Sequence, residues 1–180
     1  MIGFIIFLCL LLAFYAGGRR GAAYQLVYTI GMAISFFIAT KYYQFWGGKI
    51  ELYVPYLSVN PETKMHYYDQ ATSFDLDKAY YAAVAFIGLL FIGWLVTKLI
   101  GIFAVDLRFV KLFSYDWLLA GLLNVMLVYV ALVMIFFIFS LIPLDIIQSI
   151  FDRSTMVRFM IEKTPFFSKQ IYKLWISTVI

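Results

Sequence analysis

The sequence predicts an all-α integral membrane bundle of four transmembrane helices with a C-terminal amphipathic interfacial helix, and three observations lead there. Of the 180 residues 64% are hydrophobic, against roughly 45–50% apolar in a soluble domain. Only 13% are charged, against roughly 25%, too few to coat a water-facing surface, so a soluble monomer is excluded. The apolar residues are gathered into four blocks rather than spread out, and crossing a hydrocarbon core of about 30 Å takes about 20 such residues. The blocks lack the alternation of barrel strands. Backbone groups in hydrocarbon must be satisfied within their own segment, which leaves helices.

The spans fall at about 2–16, 22–45, 79–97 and 118–142, giving a membrane domain over 1–142, with an extracytoplasmic loop at 47–78 and a helical tail over 143–180. The first block is short and ends in Ala16, Gly17 and Gly18, like a secretory signal. A signal carries its positive charge ahead of the apolar run, whereas here Arg19 and Arg20 follow it, so a retained first span is expected. The fourth block is the clearest, with no charge between Asp116 and Asp145.

Lys and Arg near span ends favour the cytoplasm, and the first helix usually dominates. Arg19 and Arg20 therefore place the N-terminus outside, and Lys98, Arg108 and Lys111 fall on the cytoplasmic side with them. Lys41, Lys49, Lys64, Lys78, Arg153 and Arg158 pull the other way. The density of two arginines in a very short turn decides for N- and C-termini outside.

The segment 47–78 holds Pro55, Pro61, several tyrosines and the acids Glu51, Glu62, Asp69, Asp75 and Asp77, the composition of a loop. Thr72 with Asp75 three residues on fits a capping signature that launches the third span near Asp75. After Pro143, Ile146, Ile147, Ile150, Val157 and Ile161 share an arc opposite Asp145, Gln148, Asp152 and Glu162. That spacing predicts one amphipathic helix from Asp145 to Lys163, ended by Pro165 and lying on the bilayer or the bundle. A second short helix beyond Ser168, with Ile171, Leu174, Trp175 and Ile176 against Lys169 and Lys173, is expected at the interface.

Chemistry-bearing residues are sparse. Cys9 is the sole cysteine and His66 the sole histidine, so a cysteine-rich metal site is excluded and a catalytic or metal role for His66 lacks partners in the sequence. Asp75 and Asp77 lack the glycine and the closing glutamate of a calcium loop. Ser35, Ser140 and Ser154 sit in no glycine-flanked elbow. No enzyme, cofactor or metal is expected, and no nucleic-acid partner, because the basic residues are scattered between apolar blocks. Lys98, at the edge of the third span, is read as a charge at membrane depth, near an end where it can snorkel. Gln25 and Asn124 can hydrogen-bond between helices.

Small residues recur every fourth position: Ala13, Gly17 and Gly21; Gly31, Ser35 and Ala39; Gly93, Thr97 and Gly101. Such stripes let helices approach where lipid gives no reward for burial. They suit packing within one chain or assembly between chains.

Gly17-Gly18-Arg19-Arg20-Gly21 after a short apolar N-terminus, followed by a span with Gly31, resembles the opening of the colicin V production (CvpA) family. Asp116-Trp117-Leu118-Leu119-Ala120-Gly121 is similar to its Asp-Arg-Leu-Leu-Gly start of the fourth span, and Ser154 with Thr164-Pro165 to its tail. Trp117 replaces a basic residue, and Ala120 and Asn124 stand where glycines are common. The resemblance implies a multi-pass protein of the bacterial cell membrane, supporting toxin production or export and envelope homeostasis without catalysis of its own. Its partners would be the lipid bilayer and other membrane proteins. The alternative is a homo-oligomeric pore or small transporter.

Overall fold

The computed structural model describes residues 2–57, 59 and 65–180. Pro61, Glu62 and Lys64, named above in the middle loop, lie outside the described residues. The described chain is helical and contains no strand: α1 (Ile2–Gly18), α2 (Ala22–Ile50), α3 (Gln70–Ser73), α4 (Leu76–Phe103), a 3-10 turn (Val105–Phe109), α5 (Asp116–Leu141), α6 (Asp145–Arg153), α7 (Thr155–Lys163) and α8 (Phe167–Tyr172), which runs on into a π-helical turn (Lys173–Ser177).

Three helices, α2, α4 and α5, are long and apolar enough to cross a membrane, with 29, 28 and 26 residues. At about 1.5 Å per residue each exceeds the roughly 30 Å of hydrocarbon. Two of them outrun the spans expected from hydropathy: α2 continues past residue 45 to Ile50, and α4 replaces 79–97 with Leu76–Phe103. Apolarity marks where lipid is tolerated, whereas the backbone ladder continues through polar helix formers such as Lys49 and Lys78. α1 has 17 residues, about 26 Å at the same rise.

The start of α4 is where the sequence put it, but the capping signature is not its cause. Thr72 lies inside α3, and its carbonyl accepts from the Asp75 amide at 3.2 Å. Asp75 instead pairs with Lys78 at 3.2 Å on the surface.

Contacts divide the chain into two compact units. Unit 1 holds residues 3–39 and 88–131; unit 2 holds 40–87 and 132–180. Each of α2, α4 and α5 gives residues to both.

Unit 1 is built on close backbone approach. A Cβ added to Gly17 would lie 2.5 Å from the Ala120 carbonyl oxygen and from the Asn124 Cβ, and one added to Gly121 would meet the Phe14 ring at 2.6 Å. Gly31 faces Thr97, Gly93 faces Ser35, and Gly101 lies against the hydroxyls of Tyr24 and Tyr28. The Ser35 and Thr97 hydroxyls donate to the carbonyls of Gly31 and Gly93, 2.7 and 2.8 Å away, within their own helices, so neither brings an unsatisfied donor into the contact. Ala39 is fully buried. The outward face carries Phe4, Phe7, Leu11, Phe37, Phe91 and Leu99, all exposed, a far larger apolar surface than a water-soluble monomer presents.

Unit 2 is built on aromatic burial. Trp175, fully buried, meets Phe86 at 5.7 Å and Phe137 at 6.2 Å edge-on. The Tyr43 hydroxyl donates to the Leu174 carbonyl at 2.7 Å and its ring meets Phe86. The end of the tail, expected at a membrane interface, therefore spends its apolar face on protein: Ile171, Trp175 and Ile176 are buried.

The single tail helix is also corrected. It is broken at Ser154, an extended residue that closes α6 and caps α7, its hydroxyl accepting from the Val157 amide at 3.4 Å. The predicted arc does not hold within α6, ahead of the break, whereas beyond it Val157 and Ile161 are buried and Glu162 is exposed. Ile146 is 81% exposed, whereas Gln148, assigned to the polar side, is buried, as is Phe151. Val157, Met160 and Ile161 supply the buried face of α7.

Candidate functional site

The residues of the family-like motif converge in unit 1, at the turn between α1 and α2. α1 ends at Gly18, and the Arg20 amide closes the turn on the Gly17 carbonyl at 2.9 Å. Gly21 then adopts φ +79°, a left-handed conformation that side chains disfavour, and a Cβ there would meet the Asp116 carboxylate at 3.2 Å.

Asp116 opens α5 and is nearly buried. Its Oδ2 accepts from the Ala22 amide at 2.7 Å, the first residue of α2, and its Oδ1 from the Leu112 amide at 3.0 Å. One carboxylate thus satisfies an orphan amide of another helix while standing at the positive end of its own.

A polar chain runs inward from this turn. An Arg20 guanidinium nitrogen donates to Gln25 Oε1 at 3.3 Å, Gln25 Nε2 to Asn124 Oδ1 at 3.2 Å, and Asn124 Nδ2 to the Ala13 carbonyl at 2.7 Å. Gln25 and Asn124 are both buried. Arg20 also lies 5.0 Å from the Tyr28 ring centroid, and Arg108 4.7 Å from that of Tyr24. The Tyr24 hydroxyl reaches the Gly101 carbonyl at 3.2 Å. Arg19 stays on the surface against Tyr15.

The structure therefore brings Gly17, Arg20, Gly21, Asp116, Gly121 and Asn124 together. Ser154 and Pro165 belong to unit 2. Pro165 follows the end of α7, and its carbonyl accepts from the Phe167 amide at 2.7 Å around Phe166 at φ +66°, a strained γ-turn. Lys98 is exposed, its ammonium 4.0 Å over the Trp94 ring. Cys9 is exposed.

Sequence reasoning missed Tyr24, Tyr28 and Arg108, whose signal was aromatic residues one helical turn apart facing a basic one. It also missed Gln148 in unit 2. Gln148 Nε2 donates to the carbonyls of Ile142 at 2.8 Å and Ser140 at 3.4 Å, and its Oε1 accepts from the His66 amide at 3.1 Å. Pro143 was the available clue, because ending α5 leaves carbonyls that need donors. His66 is not free: its Nδ1 lies 2.9 Å from the Asp152 carboxylate.

The motif at the α1–α2 turn holds helix ends and a close helix contact, and Asp116 has both oxygens engaged by backbone amides. Against known proteins, residues 2–165 match the family described as colicin V production protein. A Bacillus subtilis (strain 168) protein described as an uncharacterized transmembrane protein, YshB, is 26% identical over 179 residues, covering 97% of each chain. No solved structure matches. With helices long enough to span a bilayer and a family match over nearly its whole length, the chain is a membrane protein of the colicin V production protein family.

Proposed function

We propose that this chain is a non-enzymatic, four-span protein of the bacterial cell membrane that supports production or export of colicin V-type toxins and envelope maintenance by holding partner proteins. The observation that carries the reading is the engagement of the motif itself: Asp116 accepts two backbone hydrogen bonds and Gln25 and Asn124 bond to each other. Residues spent this way fix helix ends and leave the outer faces for lipid and partners. No cofactor enters this reading. The pore alternative drew on the small-residue stripes, and the meeting of Gly31 with Thr97 and of Ser35 with Gly93 inside one unit weighs for the scaffold.

α1 is the fourth span in this reading. Its length falls short by only a few ångströms, which local thinning of the bilayer accommodates at a fraction of a kcal/mol per Å. Arg19 and Arg20 then hold the first turn in the cytoplasm, with both termini outside. A reporter active only outside the cytoplasm should work after Ile180 and fail between Arg108 and Asp116.

The test of function is deletion of the gene in toxin-producing cells. Toxin in the medium should fall and return with the wild-type copy, while affinity purification in mild detergent should recover export or envelope proteins. Unchanged secretion and an isolated protein would contradict the reading.

A further inference from the structure

The turn between α1 and α2 and the loop between α4 and α5 meet at one end of unit 1. A Cβ added to Gly21 would lie 3.4 Å from the Arg108 carbonyl oxygen, and one added to Gly18 3.3 Å from that of Trp117. Arg20 and Arg108 therefore stand on neighbouring stretches of backbone.

Their guanidinium groups also rest on neighbouring rings. Arg20 lies over Tyr28 and Arg108 over Tyr24, and the centroids of these two rings are 5.3 Å apart. Both tyrosines are buried, and their hydroxyls are spent: they lie 3.3 Å from each other, and that of Tyr24 donates to the Gly101 carbonyl. The pair is thus a platform that takes the flat faces of two arginines. Each guanidinium has five N–H donors. Among the described residues Arg20 gives one to Gln25, and Arg108 gives none.

Charge at this end is unbalanced. Arg19, Arg20, Lys98, Arg108 and Lys111 stand against Asp106 and Asp116. Asp116 is engaged by backbone amides, and the ion pairs among the described residues, His66 with Asp152 and Lys78 with Asp75, are both in unit 2. Two neighbouring arginines with unspent donors and no carboxylate partner suit a shared oxyanion.

Depth says where that anion comes from. α1 and α4 end here, and α2 and α5 begin here, so the arginines sit where apolar helices leave hydrocarbon. Tyr115 and Trp117 are exposed, and the Lys98 ammonium lies over Trp94, the aromatic and snorkelling pattern of a headgroup boundary. Phe103 and Phe109, near the two ends of the 3-10 turn that carries Arg108, are exposed as well and offer apolar surface to acyl chains.

We propose that Arg20 and Arg108, held on the Tyr24 and Tyr28 rings, clamp the phosphate of an acidic phospholipid such as phosphatidylglycerol. A zwitterionic headgroup would bring an ammonium to a surface that is already positive, which disfavours it. This goes beyond the scaffold reading and rests only on the membrane placement of unit 1.

The test titrates the full chain, purified in mild detergent, with dihexanoyl-phosphatidylglycerol and dihexanoyl-phosphatidylethanolamine, read by native mass spectrometry. The glycerol lipid should bind one per chain and at least about fivefold more tightly than the ethanolamine lipid, the factor one basic residue contributes near anionic lipid. Arg108→Gln, at an exposed position, should weaken it about tenfold and leave the ligand-free melting temperature unchanged. Arg108→Lys and Arg20→Lys keep the charge without the planar fork, and each should lose a smaller factor. Lys111→Gln removes a charge from the same loop that rests on neither tyrosine, and it should change binding by less than about twofold in screening salt.

Equal losses from Lys111→Gln and Arg108→Gln would mean a diffuse positive surface in place of a clamp and would overturn the proposal. So would full binding in both lysine variants, equal binding of the two lipids, or displacement of the lipid by an equimolar amount of inorganic phosphate.

Discussion

The two compact units of this chain hold themselves together in different ways. Unit 1 has glycines where backbones meet and buried amides paired side chain to side chain, as in Gln25 with Asn124. Unit 2 buries large aromatics and ties its loops down by tyrosine hydroxyls: Tyr56 donates to the Leu141 carbonyl at 2.9 Å, and the Tyr68 hydroxyl lies 3.1 Å from that of Ser140. The solvent explains the contrast. Lipid gives helices no reward for hiding apolar surface, so contact depends on close fit and hydrogen bonds. The segments 51–57 and 65–75, with Pro55, acids and phenols, have the composition of a water boundary, where burying aromatic surface is rewarded.

Enlarging a glycine at the tightest backbone contacts of unit 1 should therefore wreck it, whereas unit 2 tolerates a side chain at Gly48, though not at Gly47, which lies against the Ala82 backbone. Gly17→Leu forces a side chain onto the Ala120 carbonyl, where backbone must move, and the variant should yield no folded protein in detergent chromatography. Gly48→Leu, in unit 2, has open space around it and should run as the parent. Comparable behaviour of the two would dissolve the contrast.

Removing bulk should do the reverse. Trp175→Ala, at a fully buried ring, should cost roughly 3–5 kcal/mol, read as a fall in melting temperature and protease sensitivity of the tail. A cost below about 1 kcal/mol would mean that the aromatic cluster is not what holds unit 2.

For Asp116→Asn the expected loss is roughly 1.5–3 kcal/mol, the range for hydrogen bonds to a charged group. A double-mutant cycle of Gln25→Leu and Asn124→Leu should return a coupling of about 0.6–2 kcal/mol. Zero coupling would show that the pair is spatially adjacent but energetically idle.

The smallest expected effect belongs to Phe166→Gly. It relieves a side chain held at φ +66° at the cost of a freer unfolded chain, and the melting temperature should rise slightly. A fall would assign the exposed Phe166 ring a packing role.

The helices and the membrane class were legible in the sequence because hydropathy and composition are local quantities. The small-residue stripes were legible too, but their partners were not: Gly31 opposite Thr97 requires knowing which faces meet. Ser154 resembled a family tail residue, yet nothing in the sequence set its conformation, and the extended backbone there divides the tail into two helices. Ahead of that break Gln148 is buried and Ile146 exposed because Gln148 donates to the carbonyls left open at the end of α5, a demand that periodicity does not carry. The Asp116 cap was hidden for another reason: its acceptor role spans 94 residues to Ala22, and long-range hydrogen bonds leave no spacing signal.

The central claim is that the small-residue stripes pack within one chain. Gly31→Cys with Thr97→Cys, in a Cys9→Ser background, tests it directly. A Cβ at 31 lies 3.0 Å from the Thr97 Cβ, within about half an ångström of the roughly 3.5–4.5 Å found in disulfides. Mild oxidation in membranes should consume both thiols and leave a monomer on denaturing gels, with the bond mapped between positions 31 and 97 of one chain. A covalent dimer as the main product, with each single-cysteine parent inert, would place the stripe between subunits and contradict the account.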